Sequence, residues 1–429
     1  MSDIFAELKW RGLIHQTTDD ENLQKWLNEK PRTMYIGFDP TADSMHVGSL
    51  LQVMTLRRFQ KAGHKPIALV GGATGMIGDP SGKSKERTLL TGDTLKQNVA
   101  GLKKQMGLFL DFDGNDSASL VNNFDWMSSF SYLEFLRDIG KNFPVNVMMA
   151  KDSVKSRIGR EDTGISYTEF SYMLLQAYDF VHLNQKFGCE LQVGGSDQWG
   201  NITAGIDLGR RMHQVQLFGI TSPLLTKSDG TKMGKTESGA VWLDPEKTSP
   251  YQFYQYWVNT GDDDVGKCLR FLTELPKEEI EALDASRESD PAKRESQTKL
   301  AAELTKLVHG DAGLKTAEQA KQIFFGGGSL EGLDQKSLEQ IFADVPSCEL
   351  PRADFSGEGY SLIDALAASG LCSSKSEARR TIKEGGANVN NERVNDINAK
   401  LTEKDLATES IVVLRRGKKK YALLRLIES

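Results

Sequence analysis

The pattern of apolar and polar positions in residues 33–70 predicts a strand, a helix and a second strand. Thr33–Phe38 and Lys65–Val70 are short apolar runs, each long enough for a buried strand. One apolar helix face is indicated between them by four residues at the i, i+3, i+4, i+7 spacing: Val47, Leu50, Leu51 and Met54. Because a strand–helix–strand unit gives parallel strands, we expect an α/β fold with a Rossmann-like, doubly wound parallel sheet.

The pattern changes twice along the rest of the chain. After about residue 247 the sequence becomes helical, acidic and lysine-rich, and a compact module begins near residue 357. In that module Ser374–Lys383 predicts a helix and Ile411–Leu424 predicts a β-hairpin. We therefore expect four consecutive parts: an α/β catalytic domain (1–246), an α-helical domain (247–330), a linker (331–356) and a small α+β domain (357–429).

Composition and charge narrow the classes of function. Hydrophobic residues make up 39% of the 429 residues, as in ordinary globular proteins, and no apolar run approaches the roughly 18 residues of a membrane helix. The four cysteines lie far apart, so we expect no disulfide framework, no zinc site and a cytoplasmic location. The net charge is −6, yet residues 357–429 carry 13 Lys/Arg against 10 Asp/Glu, a net of +3 that leaves −9 elsewhere. A basic last domain suits an enzyme that holds a polyanion there.

Polar residues stand at the start of the helix that follows the first strand. A helix N-terminus favours negative charge, so His46, Gly48 and Ser49 are placed to meet a phosphate, and Gly48 would let a flat base approach the backbone. An ordinary polar helix start at the surface explains the same residues equally well.

A glycine-rich segment, Gly71–Ser84, follows the second strand. Its spacing differs from that of a Walker phosphate loop, because Gly78 and Gly82 enclose three residues where the motif has four. A loop that needs glycines for its backbone angles would account for the glycines. It would not account for Asp79 with the cations Lys83 and Arg87 beyond it.

Two further segments place polar groups where ligands bind. Tyr172, Gln176 and Asp179 form one stripe of an otherwise apolar helix, and a buried polar stripe must be satisfied by the protein or by a ligand. Gly194–Asn201 is a polar turn at a predicted strand end, where open α/β sheets bind ligands.

Two lysines three residues apart, Lys232 and Lys235, lie in a segment bracketed by glycines, residues 226–239, which we name the lysine loop. Such a loop can act as a mobile cationic clamp on a leaving phosphate. A solvated surface loop is the usual meaning of a lysine-rich segment.

In combination and in this order, the motifs resemble those of class I aminoacyl-tRNA synthetases. His46–Ser49 resembles the first class motif, His-x-Gly-His, and Lys232–Thr236 resembles the second, Lys-Met-Ser-Lys-Ser. Four segments resemble the tyrosine-specific members in particular: Tyr35–Ser44, Gly71–Lys83, Tyr172–Asp179 and Gly194–Asn201. The C-terminal helix and hairpin look like an S4-type RNA-binding module. The resemblance implies ATP-dependent activation of tyrosine and its transfer to tRNA(Tyr), with Mg²⁺ accompanying ATP, no dedicated metal site, and a homodimer.

The resemblance also implies roles for matching positions. Tyrosine contacts would be Tyr35, Asp79, Asn123, Tyr172, Gln176, Asp179, Gln192 and Gln198. Catalytic contacts with the phosphates would be Thr41, His46, Ser49, Lys83, Arg87, Lys232, Lys235 and Thr236. Other ATP contacts would be Gly37, Asp39, Gly48 and Asp197, together with Lys235. Candidate RNA contacts are Arg379, Arg380, Arg415, Arg416, Lys418, Lys419 and Lys420, although a solvated charged face explains any one of them.

Two positions depart from the family pattern. Ser49 stands in place of the second histidine of the first motif, which predicts weaker transition-state stabilisation, and Ile36 replaces a small polar residue. Three alternatives stay open. The tryptophan enzyme shares the fold and both motifs but not a pocket suited to a phenol. A non-catalytic RNA-binding protein on a decayed scaffold is supported by Ser49 alone. A nucleotidyltransferase would need no S4-like module.

Overall fold

The computed structural model describes residues 2–81, 92–114, 117–158, 164–236, 239–326, 328, 330, 333–342, 345–417 and 420–428, without the side chains of Asp152, Ser153, Ser156, Thr236, Phe325 and Gln340. The chain divides into two compact units. Unit 1 consists of Met1–Leu243 and Thr260–Ser296, and unit 2 of Asp244–Asn259 and Gln297–Ser429. None of the described helices has the length and apolar character needed to cross a membrane.

Within the described parts of the chain, the strands form one six-stranded sheet, one five-stranded sheet and two small ribbons. Their bounds are β1 (Gln16–Thr17), β2 (Thr33–Phe38), β3 (Lys65–Val70), β4 (Ser119–Asn122), β5 (Cys189–Gly195), β6 (Phe218–Ser222), β7 (Lys235–Thr236), β8 (Gly239–Ala240), β9 (Ser347–Pro351), β10 (Tyr360–Ser361), β11 (Ala387–Val389), β12 (Glu392–Arg393), β13 (Lys400–Leu401), β14 (Ile411–Arg416) and β15 (Lys420–Ile427).

The helices connect the strands of unit 1 and make up much of unit 2. Their bounds are α1 (Ile4–Arg11), α2 (Asp20–Glu29), α3 (Val47–Lys61), α4 (Thr74–Ile77), α5 (Gly92–Met106), α6 (Phe124–Met127), α7 (Tyr132–Asp138), α8 (Val145–Met149), α9 (Asp152–Ile158), α10 (Tyr167–Phe187), α11 (Trp199–His213), α12 (Pro250–Val258), α13 (Asp262–Leu272), α14 (Lys277–Ser289), α15 (Glu295–Gly326), α16 (Gln335–Ile341), α17 (Leu362–Ala368) and α18 (Lys375–Lys383). α15 is interrupted at Gly310, whose backbone is not helical.

The six-stranded sheet of unit 1 confirms the predicted strand–helix–strand unit. β2 and β3 have the predicted bounds and pair in parallel, with α3 between them in the chain. The four apolar residues that predicted α3 are all buried: Val47, Leu50, Leu51 and Met54. The strand order is β1-β6-β5-β2-β3-β4.

One strand corrects the expectation of a wholly parallel sheet. β2 to β6 pair in parallel, but β1 pairs with β6 in the antiparallel direction at the edge of the sheet. β1 has only two residues and lies next to β6 through Gln16↔Thr221 and Thr17↔Ile220. So short a strand shows no periodicity, which is why the sequence pattern did not reveal it.

Unit 2 contains the predicted C-terminal helix and hairpin. α18 begins after Ser374, whose side chain accepts a hydrogen bond from the Glu377 backbone N–H, and β14 pairs with β15 in antiparallel register. These strands belong to the sheet β12-β11-β14-β15-β9. The expected linker 331–356 contains α16 and β9, and β9 pairs in parallel with β15. Leu338 and Phe342 are buried in a hydrophobic cluster of this unit, so the segment has apolar side chains that a free linker lacks. The other domain boundaries stay predictions.

Candidate active site

The main cavity of unit 1 lies where the carboxyl ends of β2 and β5 meet. It encloses about 300 Å³ and is lined by residues 35–38 of β2, by Asp39 directly after that strand, and by residues 192–195 of β5. The strand order reverses between these two strands, because β3 and β4 follow on the β2 side and β6 follows on the β5 side. Open α/β sheets bind their ligands at such a switch point. The cavity is therefore the first candidate for a substrate site.

Asp179 of α10 is a buried acid in this cavity. It is 2% exposed. Its carboxylate accepts hydrogen bonds from the Asn123 amide (Nδ2–Oδ2 3.0 Å) and from the Trp126 indole (Nε1–Oδ1 2.8 Å). Burial raises the pKa of Asp179 to about 7; the two hydrogen bonds act in the opposite direction, and Asp39 adds a small increase. The group therefore changes charge near neutral pH in the ligand-free protein.

Tyr35 of β2 brings a second buried polar group to the same cavity. The residue is 1% exposed, and its hydroxyl has no hydrogen-bond partner among the described residues. Burial, and then the charge of Asp179, raises the pKa of Tyr35 well above its ordinary value, so the hydroxyl stays neutral. The buried Oε1 of Gln192 is also unpartnered within the described chain. An unpaired buried polar group costs about 1–3 kcal/mol, so the two groups favour a polar ligand.

A network of side-chain hydrogen bonds centred on Gln198 and Asp79 forms another part of the cavity lining. Gln198 Nε2 donates to Asp79 Oδ2 at 2.7 Å, and Gln198 Oε1 accepts from Gln176 and Asn201, each at 3.2 Å. The Ser81 backbone N–H donates to Asp79 Oδ1 at 2.8 Å. These contacts fix the carboxylate of Asp79 at the cavity wall, where it provides a negative charge for a cationic part of a ligand.

All three residues of the predicted polar stripe of α10 line the main cavity. They are Tyr172, Gln176 and Asp179, which share one face as the i, i+4, i+7 spacing predicts. The Tyr172 hydroxyl donates to Asp39 Oδ1 at 3.4 Å, which connects α10 with the end of β2. Ser166 caps the helix by accepting from the Glu169 backbone N–H. One helix thus supplies three polar side chains to one wall.

A second cavity of about 220 Å³ lies beside the start of α3. Its lining includes Thr41, His46 and Ser49, and it shares Gly48 with the main cavity. His46 caps α3, since its Nδ1 accepts from the Gly48 backbone N–H at 2.9 Å. A Cβ on residue 48 would lie only 2.7 Å from the His46 ring, so a larger residue there would displace that ring. A helix N-terminus with this lining suits phosphate.

The lysine loop lies against the same helix start. Lys232 lines the main cavity. The Val47 backbone N–H donates to the Val241 carbonyl, and the Val241 N–H donates to the Gly234 carbonyl, both at 2.9 Å. Gly234 has a φ of +85°, and a Cβ there would come 2.9 Å from the Val47 Cβ. Lys235 is exposed and lines neither cavity.

The structure brings most of the predicted substrate residues together. Those that line the main cavity are Tyr35, Gly37, Asp39, Gly48, Asp79, Tyr172, Gln176, Asp179, Gln192, Asp197, Gln198 and Lys232. Asn123 does not line it and acts through its hydrogen bond to Asp179. The described residues do not include Lys83, Arg87, Lys418, Lys419 or the side chain of Thr236.

Trp126 and Gln52 are among the residues of the site that the sequence patterns did not indicate. Trp126 hydrogen-bonds Asp179 across 53 positions of chain, and nothing in an isolated tryptophan signals such a contact. Gln52 lines both cavities, and its Nε2 donates to the Ser222 hydroxyl at 3.1 Å. Gln52 lies four residues after Gly48 on α3, so the helical period could have revealed it.

The basic residues of unit 2 differ in their surroundings. Arg379 and Arg380 of α18 are exposed, as is Lys420. Arg416 instead donates to the Leu371 carbonyl at 2.8 Å and to Glu377 at 2.7 Å. Arg415 donates to the side chain of Asn388 at 2.9 Å. The two arginines of β14 are therefore engaged within the fold, and the exposed cations are the more accessible to a polyanion.

Comparison with known families gives matches along nearly the whole chain. The model of the class I tRNA synthetases (W and Y) matches residues 27–326, and that of the tyrosine–tRNA ligase SYY-like C-terminal domain matches residues 337–424.

Individual proteins agree with the family models. The chain is 60% identical to the tyrosine–tRNA ligase of Rhodopirellula baltica over 99% of this chain and 97% of the relative. It is 54% identical to that of Roseiflexus castenholzii over 100% of both chains. A C-terminally truncated mitochondrial tyrosyl-tRNA synthetase of Aspergillus nidulans superposes with a TM-score of 0.68 at 34% identity, covering 76% of this chain and 95% of that one. The chain belongs to the tyrosine–tRNA ligase family of the class I tRNA synthetases.

Proposed function

We propose that the protein joins tyrosine to ATP, forming tyrosyl-adenylate and pyrophosphate, and then transfers the tyrosyl group to the 3′ end of tRNA(Tyr). Its family supports the reaction. The observation that carries the choice of amino acid is the pair formed by Tyr35 and Asp179, two buried polar groups in one cavity. In this proposal both contact the phenolic hydroxyl of the substrate.

The chemistry of the pair favours a phenol over an indole. A phenolic hydroxyl both donates and accepts, so it can donate to the Asp179 carboxylate while it accepts from the Tyr35 hydroxyl. An indole N–H only donates, so it can pair with Asp179 or with Tyr35 but not with both. Phenylalanine would leave the Tyr35 hydroxyl unpaired and would bring no further donor to the Asp179 carboxylate. A tryptophan-specific activity, which the same enzyme class includes, is therefore the less well supported hypothesis.

The amino group of tyrosine would lie at the other end of the cavity. Asp79 provides a fixed negative charge there, and Gln176, Tyr172 and Gln198 provide oxygen acceptors beside it. An ammonium group needs acceptors of this kind. Gln192, with its unpartnered buried oxygen, is also available to the substrate.

ATP would occupy the region where the two cavities adjoin. In the first step a carboxylate oxygen of tyrosine attacks the α-phosphorus, and the bond from that phosphorus to the oxygen of the β-phosphate breaks. Gly37, Asp39, Gly48 and Asp197 would frame the adenosine. Several polar and cationic side chains would stabilise the charge on the leaving pyrophosphate. They are Thr41, His46, Ser49, Lys83, Arg87 and Lys232, together with Lys235 and Thr236 of the lysine loop.

Mg²⁺ would enter with the ATP phosphates in this proposal. Among the described residues no group of three or more His, Cys, Asp or Glu side chains could hold a metal ion. Mg²⁺ at such sites is commonly held by substrate phosphates and water, with few protein ligands. The second step needs only an end hydroxyl of the tRNA, which attacks the tyrosyl carbonyl carbon and releases AMP.

The C-terminal part of unit 2 would bind the tRNA as an S4-like module. The α17 and α18 helices and the five-stranded sheet support this, as does the net charge of +3 on residues 357–429. Arg379, Arg380 and Lys420 are exposed candidates for phosphate contacts. We place the reaction in the cytoplasm, in keeping with four cysteines that are all free thiols.

A homodimer is the last part of the proposal. Among the described side chains between residues 132 and 167, seven large hydrophobic ones are exposed: Tyr132, Leu133, Val145, Val147, Met149, Ile158 and Tyr167. Exposed apolar side chains gathered in one stretch indicate an interaction surface, and a second copy of the chain would cover it.

Charging of tRNA(Tyr) with labelled tyrosine tests the whole proposal. We expect charging that needs ATP and Mg²⁺, with little product when phenylalanine or tryptophan replaces tyrosine. Charging with tryptophan in preference to tyrosine would contradict the pocket assignment. Binding of tRNA without charging, by folded protein, would favour the non-catalytic alternative.

A further inference from the structure

One face of α13 contacts the lysine loop at three points. Asp264, Lys267 and Cys268 occupy this face, at the i, i+3, i+4 spacing. The three residues follow the catalytic α/β segment in sequence, yet they belong to the same compact unit.

Asp264 makes the first contact, with Ser228 of the loop. Its Oδ1 accepts from the Ser228 backbone N–H at 2.8 Å, and its Oδ2 lies 3.5 Å from the Ser228 hydroxyl. Asp264 is 7% exposed, so this is a hydrogen bond to a carboxylate shielded from water. Such charge-assisted bonds are stronger than neutral ones.

The other two contacts are made by Thr226 and Met233 of the loop. The Lys267 ammonium donates to the Thr226 carbonyl. The Cys268 thiol lies 3.4 Å from the thioether of Met233, and both side chains are buried. Met233 is the residue next to Lys232, so its burial against α13 restrains the backbone beside that lysine.

The loop is therefore held on both sides of Lys232. Residues 226–233 contact α13, and Gly234 contacts the start of α3 through Val47. Hydrogen bonds inside the loop, such as that from the Lys227 N–H to the Thr231 carbonyl at 2.8 Å, give it a shape. The contacts with α13 and α3 position the loop beside the main cavity.

We propose that Asp264 and Lys267 are positioning residues for the activation step, because they hold the lysine loop on α13 with Lys232 at the main cavity. The inference rests on the proposed function, since Lys232 is taken to act on the leaving pyrophosphate. Neither residue lines either cavity, so each would act through the loop and touch no substrate.

The test compares Asp264→Ala with Asp264→Asn in the full-length protein. The asparagine keeps an oxygen that can accept from the Ser228 N–H, whereas the alanine removes it. Asp263→Ala is the matched control, because Asp263 is exposed on the same helical turn. Lys267→Met, which removes the donor to Thr226, tests the second contact independently.

Three quantities are measured for each variant. They are the kcat of tyrosine-dependent pyrophosphate exchange, the KM for tyrosine, and the rate of trypsin cleavage after Lys227 and Lys232. We expect Asp264→Ala to lower kcat by about 10-fold or more, the equivalent of one lost charge-assisted hydrogen bond. Tyrosine KM should stay unchanged and loop cleavage should accelerate. Lys267→Met should act in the same direction, Asp264→Asn should lose less than Asp264→Ala because it keeps a neutral acceptor, and Asp263→Ala should resemble the parent protein.

Three results would overturn the inference. One is a normal kcat and normal loop cleavage in Asp264→Ala. A second is an equal loss of kcat in Asp264→Ala and Asp264→Asn. The third is a loss of kcat accompanied by a rise in tyrosine KM with no change in loop cleavage. Absence of exchange in the unmodified protein would count against the proposed function instead, so the two failures are distinguishable.

Discussion

The Tyr35 hydroxyl and the Asp179 carboxylate are polar groups that the fold buries in one cavity, and only one of them is satisfied by the protein. Asp179 has Asn123 and Trp126 as donors, whereas the Tyr35 hydroxyl has no partner among the described residues. A ligand that both donates and accepts completes the arrangement. In the proposed function, selection of the substrate depends on a hydrogen bond to the Tyr35 hydroxyl, which no described residue makes.

Tyr35→Phe removes this hydroxyl without changing the apolar packing of the ring against Phe180, whose centroid lies 5.3 Å away. We expect kcat/KM for tyrosine to fall about 3–10-fold, the value of one neutral hydrogen bond, and kcat/KM for phenylalanine to stay level or rise. Steady-state exchange kinetics with both amino acids measure the ratio. Unchanged discrimination would show that Tyr35 does not contact the substrate hydroxyl.

The raised pKa of Asp179 predicts a pH dependence of tyrosine binding. The group is a carboxylate above about pH 7 and protonated below it, because burial disfavours the charge. A phenol donating to the carboxylate binds the deprotonated form, so tyrosine affinity should weaken as the pH falls below 7, by up to about tenfold per pH unit. Equilibrium dialysis between pH 8 and pH 5.5 measures the change. A flat profile would contradict the assigned contact, and Asp179→Asn should abolish the dependence.

Several residues of the site could be predicted from the sequence for a physical reason. Tyr172, Gln176 and Asp179 repeat at the helical period within one apolar helix, so their common face follows from the chain itself. The Trp126 contact could not be predicted, because it joins residues 53 positions apart and depends on how α6 packs beside α10.

At the scale of elements, β2 and β3 were predictable because each is a short apolar run, and α3 because its apolar residues repeat at the helical period. The docking of the lysine loop on α13 and on the start of α3 was not. Asp264 and Ser228 are 36 positions apart, and neither lies in a pattern that marks it. The edge strand β1 was not predictable either, because its two residues form a strand only by pairing with β6.

Two glycines of the lysine loop allow a matched test of this docking. Gly234 and Gly230 have similar φ values, +85° and +82°, but only Gly234 lies close to other atoms, namely those of Val47 and Gly48. Alanine at either position costs about 1 kcal/mol in backbone strain. Gly234→Ala should in addition push the loop from α3 and lower the exchange rate on the order of 10–100-fold. Equal exchange rates for the two variants would contradict the docking.

At the scale of the whole molecule, activation and tRNA binding are assigned to different parts of the chain. The cavities lie in unit 1, and the exposed cations Arg379 and Arg380 lie in unit 2. Charge and domain order in the sequence indicated this division, since residues 357–429 carry a net of +3 within a chain of −6.

Reversing both charges, Arg379→Glu with Arg380→Glu, should separate the two steps. We expect pyrophosphate exchange to be unchanged, and charging of tRNA to weaken and to lose part of its salt dependence, because two phosphate contacts are removed. Lys336→Glu, at an exposed position of α16, controls for the change in net charge. Equal loss of exchange and charging would contradict the division between the units.

The most direct measurement of the central claim is exchange of labelled pyrophosphate into ATP, with tyrosine, phenylalanine, tryptophan or no amino acid. Exchange with tyrosine alone is the predicted result, because only a phenol pairs with both Tyr35 and Asp179. Exchange with tryptophan, or none with any amino acid from folded protein supplied with Mg²⁺, would contradict it.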